Sequence, residues 1–217
     1  MNPRLGFRSV SDPRDSKYPL SALMGKRVST APRKKLLFKS YKLGSILDQG
    51  NTSACVGHAC KLMLTSEPWQ QKDTPSPFTI YREARVIDEF PDDSTEGTSV
   101  RAGLKVLQNR GLIKNYYWAQ DAEHAVDFVH RISPLVVGTQ WFSGMNTVNA
   151  EGFVDVRGDD EGGHSYLACG VSLEKNAILF ANSWGVQFGF SGLFWMKIAD
   201  FAKLLHNGGC AAAVQEK

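Results

Sequence analysis

The sequence predicts an α+β protein of two lobes with a cleft between them, and three observations carry that prediction. Between residues 55 and 132 the apolar side chains recur at helical spacing. After Pro134 they come as short apolar or β-branched runs divided by Gly, Asp and Asn, which is strand behaviour. The chain has 217 residues, enough for one compact unit or two lobes sharing an interface. Helices first and strands second place a helical lobe at about 43–133 and an antiparallel β-rich lobe at about 134–217.

Residues 1–42 are rich in Pro, Ser and charge, and Pro3, Pro13, Pro19 and Pro32 interrupt any long element, so they read as an extended arm with few anchors. A helix is expected to begin at Cys55, with Ser53 capping its exposed amides and Val56, Ala59, Cys60 and Met63 on its apolar stripe. A second fits 80–90, introduced by Pro77 and ended by Pro91. A third fits 100–109, with Val100, Leu104 and Leu107 in register and Gly111 at its end. A fourth spans 121–132. Strands are expected at 135–139, 164–171, 177–181 and 193–198, and a short helix at 199–205.

Composition narrows the function. With 42% hydrophobic and 22% charged residues the chain has the make-up of an ordinary soluble globular protein. No apolar run approaches the ~20 residues of a membrane span, and the first ten residues lack a secretory signal's apolar core. The expected compartment is the cytoplasm, or the exterior reached without a standard signal peptide. Four scattered cysteines do not make a disulfide scaffold and fit a reducing compartment. Cys55, His58 and Cys60 are close enough to suggest zinc, but no second closely spaced Cys or His pair follows, so neither metal nor cofactor is expected. The net charge of +3 is unevenly spread, with eleven Lys and Arg in residues 1–42 against only Asp12 and Asp15. This basic arm precedes an acidic body. It lacks the interleaved aromatics that stack on bases, so neither nucleic acid nor a membrane is the expected partner. Either it is a solvated tail or strap, or it lies against the acidic clusters Asp92, Asp93 and Glu96 or Asp159, Asp160 and Glu161 and covers the cleft.

A thiol in the first turn of a helix feels the positive end of the helix dipole, which favours thiolate. Cys55 is predicted there, preceded by the polar loop Gln49-Gly50-Asn51-Thr52-Ser53. That loop can bring the Gln49 amide beside the Cys55 backbone N–H, where the two would hold an oxyanion. His164 follows Gly162 and Gly163 and opens an apolar strand. Asn182 follows the next strand, where its amide can orient an imidazole while Trp184 excludes water. Taken singly, each residue is as well read as a core cysteine, a structural histidine or a turn asparagine.

Asp48 to Cys55, Gly163-His164-Ser165, and Asn182-Ser183-Trp184-Gly185 with Phe188, Gly189 and Gly192 together resemble the three signatures of the papain family of cysteine peptidases, in the same order. Ser76-Pro77-Phe78 with Tyr81 and Arg85, and Glu96-Gly97-Thr98-Ser99, resemble bacterial-type members more than plant ones. The likeness covers about residues 43–205. Two departures are Thr52, where the plant pattern has a second cysteine, and Val56, where an aromatic residue usually follows the nucleophile. The resemblance implies Cys55 as nucleophile on the helical lobe, and His164 as base with Asn182 as its partner on the β lobe. It further implies Gln49 in the oxyanion site and a peptide or protein substrate bound near Gly97, Gly163 and Trp184. A transglutaminase-like acyl transferase, or a non-catalytic binding protein on a peptidase scaffold, would use the same residue types.

Overall fold

A computed structural model of the chain describes residues 5–27, 36–90 and 95–216. Asp92 and Asp93, one of the expected docking places for the arm, lie outside them.

A single antiparallel sheet organises the molecule. In chain order the strands are β1 (Phe38–Ser40), β2 (Asn115–Trp118), β3 (Leu135–Phe142), β4 (Asp160–Ser172), β5 (Ala177–Ala181), β6 (Leu193–Lys197) and β7 (Cys210–Gln215). They lie in the order β2-β7-β3-β4-β5-β6, with β1 pairing on β4, and every pairing is antiparallel. The helices are α1 (Leu20–Arg27), α2 (Cys55–Thr65), α3 (Pro77–Ile87), α4 (Val100–Asn109), α5 (Ala122–Arg131) and α6 (Ile198–His206).

The period of two along a strand sends alternate side chains into two separate cores. Val136, Leu167, Ala181, Ala212 and Val214 join one core with α2, α3 and α4. Val137, Tyr166, Ala168, Phe180, Ala211 and Ala213 join the other with α1, α5 and α6. A bulge between Ala168 and Gly170 resets the alternation, so Val171 faces the same way as Ala168. α2 is apolar almost all round, as befits a helix enclosed on every side, and its residues from Cys55 to Cys60 are all buried.

Several expectations need correction. No side chain caps α2: Ala54 holds the N-cap position, and the Ser53 hydroxyl instead hydrogen-bonds Glu96 Oε2 at 2.8 Å. α3 begins at Pro77, capped by Ser76, and stops at Ile87, before Pro91. β2 and β7 were not foreseen, because the Ala-rich run of β7 has weak strand propensity and is placed by its position between β2 and β3. The stretch before residue 43 is also far from unanchored. It supplies β1, a 3₁₀ turn at Pro13–Lys17 and α1, whose Leu20 and Leu23 are fully buried. Among the described residues its acidic side chains also anchor it, since Asp12 and Asp15 grip Arg101 of α4, which Glu89 also faces at 3.2 Å. Asp160 and Glu161 instead accept from Gln140 and Asn146.

Candidate active site

Cys55 opens α2, so unpaired amides of the first turn surround its sulfur. Its own N–H and those of Val56, Ser165 and Gly6 act on the sulfur and favour thiolate. Burial outweighs them and pushes the thiol up to about 11. Ser165, whose N–H is one of these, neighbours His164 on β4.

His164 is fully buried. Its Nε2 lies 2.7 Å from Asn182 Oδ1, and the same oxygen accepts the Ser183 N–H at 2.7 Å. An atom that receives a backbone N–H is the amide oxygen, so Nε2 carries the ring proton and Nδ1 presents a lone pair. Nδ1 is buried with no hydrogen-bond partner. The ring is held on two sides by indoles, Trp184 at 4.8 Å and Trp141 at 4.9 Å between centroids. Burial drives its pKa down to about 4, against the Asn182 hydrogen bond, which raises it.

Asn182 reaches this position because β5 pairs with β4, placing the residue after Ala181 close to the start of β4's apolar run. The loop carrying Gln49 is stitched to the same segment. Asp48 bridges Trp184, the Gln49 N–H bonds the Ser183 carbonyl at 2.8 Å, and the Ser183 hydroxyl bonds Gln49 Oε1 at 2.6 Å. Gln49 Nε2 donates to the Thr52 carbonyl at 2.6 Å. The fold therefore gathers Gln49, Cys55, His164, Asn182 and Trp184 from three separate stretches of chain.

Residues 5–8 run across this place. The Phe7 N–H bonds the Gly163 carbonyl at 2.9 Å, the Arg8 N–H bonds the Thr98 carbonyl at 3.0 Å, and the Thr98 N–H bonds the Gly6 carbonyl at 2.8 Å. The arm thus pairs with Thr98, the neighbour of Gly97. Gly97 gives its N–H to the Tyr81 hydroxyl at 3.1 Å and lets Gly6 pass close above it. Two glycines shape a slot for the Phe7 ring: a Cβ on Gly138 would fall 2.5 Å from a ring carbon, and one on Gly163 would fall 2.1 Å from the Phe7 carbonyl oxygen. Trp141, Thr98, Ser183 and Phe7 escaped the sequence reading. Thr98 and Ser183 lie inside recognised motifs and Trp141 just past the strand expected at 135–139, whereas Phe7 is one aromatic in an aperiodic arm and carries no local signal.

The four cysteines are all free thiols. Among the described residues no cluster of three or more His, Cys, Asp or Glu side chains is arranged to hold a metal ion, and no helix is long and apolar enough to cross a membrane.

No family model matches the sequence. An uncharacterized peptidase C1-like protein of Acanthamoeba polyphaga mimivirus is 24% identical over 199 residues, a match that spans 70% of this chain but only 64% of that protein. Among solved structures, xylellain, a cysteine protease from Xylella fastidiosa, superposes with a TM-score of 0.69 at 19% identity, covering 100% of this chain and 98% of its own. Digestive procathepsin L 3 of Tenebrio molitor larval midgut gives 0.65 at 10% identity, covering 97% and 83%. The bromelain protease of Ananas comosus in complex with the E64 inhibitor gives 0.57 at 13% identity, covering 81% and 94%. By superposition on these structures, the chain has the α+β fold of the papain-like cysteine proteases.

Proposed function

We propose that this protein is a cysteine peptidase whose arm, residues 5–8, holds the active site shut until it is displaced. The observation that carries the reading is the buried imidazole with Nε2–H committed to Asn182 and Nδ1 left without a partner, beside a helix-opening cysteine. That is the arrangement of a base waiting for a thiol proton.

In the reaction, Nδ1 of His164 takes the Cys55 proton and the thiolate attacks the scissile carbonyl carbon. The C=O bond opens to an oxyanion, received by the Cys55 N–H and the Gln49 amide. As the C–N bond breaks, His164 gives its proton to the leaving amine. It then removes a proton from water, whose oxygen attacks the thioester and releases the acid and the Cys55 sulfur. Asn182 keeps the imidazole in the tautomer each step needs, and Trp141 and Trp184 keep water from the bond between them.

The arm supplies the reason both groups are neutral when it is docked. A thiol at about 11 and an imidazole at about 4 do not exchange a proton near neutrality. Returning water to the cleft lowers the first and raises the second, which restores the ion pair. The docked arm offers the sulfur the Gly6 N–H, which favours thiolate but is no carbonyl to attack. Overlap lengths agree: the procathepsin, a proenzyme by its name, matches 97% of this chain, and bromelain matches 81%, close to the share made up by residues 43–217.

The test compares the wild-type protein, Phe7→Asp and Cys55→Ala/Phe7→Asp on a mixed-sequence fluorogenic peptide library, with products read by mass spectrometry. Phe7→Asp should cleave peptide bonds and bind an epoxide inhibitor covalently at Cys55, and the double variant should do neither. Cleavage that survives Cys55→Ala, or cross-linking or deamidation in place of cleavage, overturns the reading.

A further inference from the structure

The arm runs between two segments of the chain. On one side the Gly6 backbone passes against Ser53, two residues before Cys55: a Cβ on Gly6 would fall 2.0 Å from the Ser53 carbonyl oxygen. On the other side the arm pairs with Thr98, whose N–H bonds the Gly6 carbonyl at 2.8 Å and whose carbonyl receives the Arg8 N–H at 3.0 Å. When the arm leaves, these two Thr98 groups become available to a peptide lying in its place.

Ser53 and Glu96 join the two sides. The Ser53 hydroxyl, on a residue 4% exposed, donates to Glu96 Oε2 at 2.8 Å. Glu96 stands two residues before Thr98, as Ser53 stands two before Cys55. The other side-chain bonds of the Thr98 segment run elsewhere. The Gly97 N–H goes to the Tyr81 hydroxyl, the Arg85 guanidinium to the Thr95 carbonyl, and the Thr98 and Ser99 hydroxyls to Asp88 and Glu89. Those partners all lie on α3 or just after it, so they do not tie the segment to the loop before Cys55. A buried hydroxyl needs an acceptor. Here the acceptor is an exposed carboxylate on the opposite wall of the arm's path.

We infer that Ser53 and Glu96 are positioning residues that fix the Thr98 edge relative to the Cys55 sulfur, so that a peptide paired with Thr98 presents its carbonyl to the thiolate. This deepens the peptidase reading and rests on it. Loosening the pair leaves Thr98 able to bind the peptide, so KM holds. The scissile carbonyl then loses its register with the sulfur, so kcat falls. The net worth of a hydrogen bond to a charged acceptor puts the loss at about tenfold where that acceptor is exposed.

The test uses the full chain in the Phe7→Asp background. It reads kcat and KM on a peptide that this variant cleaves, and the rate of Cys55 alkylation by iodoacetamide, a probe too small to pair with Thr98. Ser53→Ala and Glu96→Ala should each lower kcat about tenfold, with KM and the alkylation rate nearly unchanged. The double variant should lose no more than either single one, because the two side chains make one bond. Glu96→Gln, whose amide oxygen accepts the same hydroxyl, should keep most of the activity. Unchanged kcat in both single variants, additive losses in the double variant, or a parallel fall in alkylation overturns the inference. So does a loss in Glu96→Gln as large as in Glu96→Ala, which would make Glu96 a charge that meets the substrate. A thermal melt identifies a variant that has lost its fold, and if Ser53→Ala does not fold, Glu96→Ala against Glu96→Gln decides by the same criteria. If Phe7→Asp with Ser53 and Glu96 intact turns nothing over, the peptidase reading falls and this inference falls with it.

Discussion

Phe7→Asp tests the arm most directly, and its size follows from the slot. The ring is 7% exposed and lies against Gly138 and Gly163. Removing a buried phenyl costs about 3 kcal/mol at the low end of the range for aromatic-to-alanine changes. Setting an unpaired carboxylate against the same apolar wall adds to that cost. Both penalties fall on the docked arm and not on the released one, so they act on the docking equilibrium. At 1.4 kcal/mol per factor of ten, the loss of the phenyl alone shifts it about 100-fold. The three backbone hydrogen bonds to Gly163 and Thr98 survive at about 1 kcal/mol each, so release is graded and not complete. The assay is iodoacetamide alkylation followed by peptide mapping, which separates Cys55 from the partly buried Cys210. Cys55 should alkylate about 100-fold faster in Phe7→Asp than in the wild-type protein. An unchanged rate would show that the arm does not govern access to the sulfur. Deleting residues 1–38 is a poorer experiment, because it also removes Leu20 and Leu23 from the core.

Other expectations follow from the same geometry. In the Phe7→Asp background, Gln49→Ala should lower kcat about 100-fold with little change in KM, the signature of a lost oxyanion donor, and an equal rise in KM would argue for a binding role. Acid should loosen the arm. His164 is held near 4 when buried against 6.5 ordinarily, so the docked state is fully stable above 6.5 and weakens as pH falls through 4. Hydrogen exchange at the Phe7 and Arg8 amides, corrected for intrinsic rate, should therefore speed up across that window in the wild-type protein and stay flat in His164→Gln. The Asp12 carboxyl does not confuse this result, since its hydrogen bonds from Arg14 hold it well below the usual carboxylate range. Asp15→Asn should free the arm more gently. Asp15 is partly exposed, so its loss costs about 1–2 kcal/mol, and Cys55 alkylation should rise roughly tenfold with a lower melting temperature. An unchanged rate in Asp15→Asn would show that Asp12 and Glu89 satisfy Arg101 without it.

The local elements of the chain were largely open to sequence reading, because they depend on near-neighbour physics. α4 begins at Val100, after the cap Ser99, and ends at Asn109 as its apolar stripe requires. α2 begins at Cys55, and β5 occupies 177–181, where a β-branched and apolar run is bounded by turn residues. Gln49, Cys55, His164 and Asn182 were each marked by the company they keep within a few positions. The papain-like order of those motifs predicted the architecture found. What local pattern could not supply was anything set by a surface meeting another surface. β7 is a strand because β2 and β3 leave a place for it, not because alanine favours strands. Thr98 pairs with the arm because of where α4 directs its preceding loop.

By itself the sequence determined which residues hold chemical capacity and on what kind of element each one sits, since capping, periodicity and motif spacing act over a handful of bonds. Only the tertiary structure decided that Phe7 would fill a slot between two glycines and that Gly6 would turn its N–H to the sulfur of Cys55. It also decided that two acidic residues of a basic arm would seek out the buried Arg101. The physical reason is desolvation: the protonation of Cys55 and His164 depends on which distant segment excludes water from them, and that is a property of the closed fold and not of any stretch of chain.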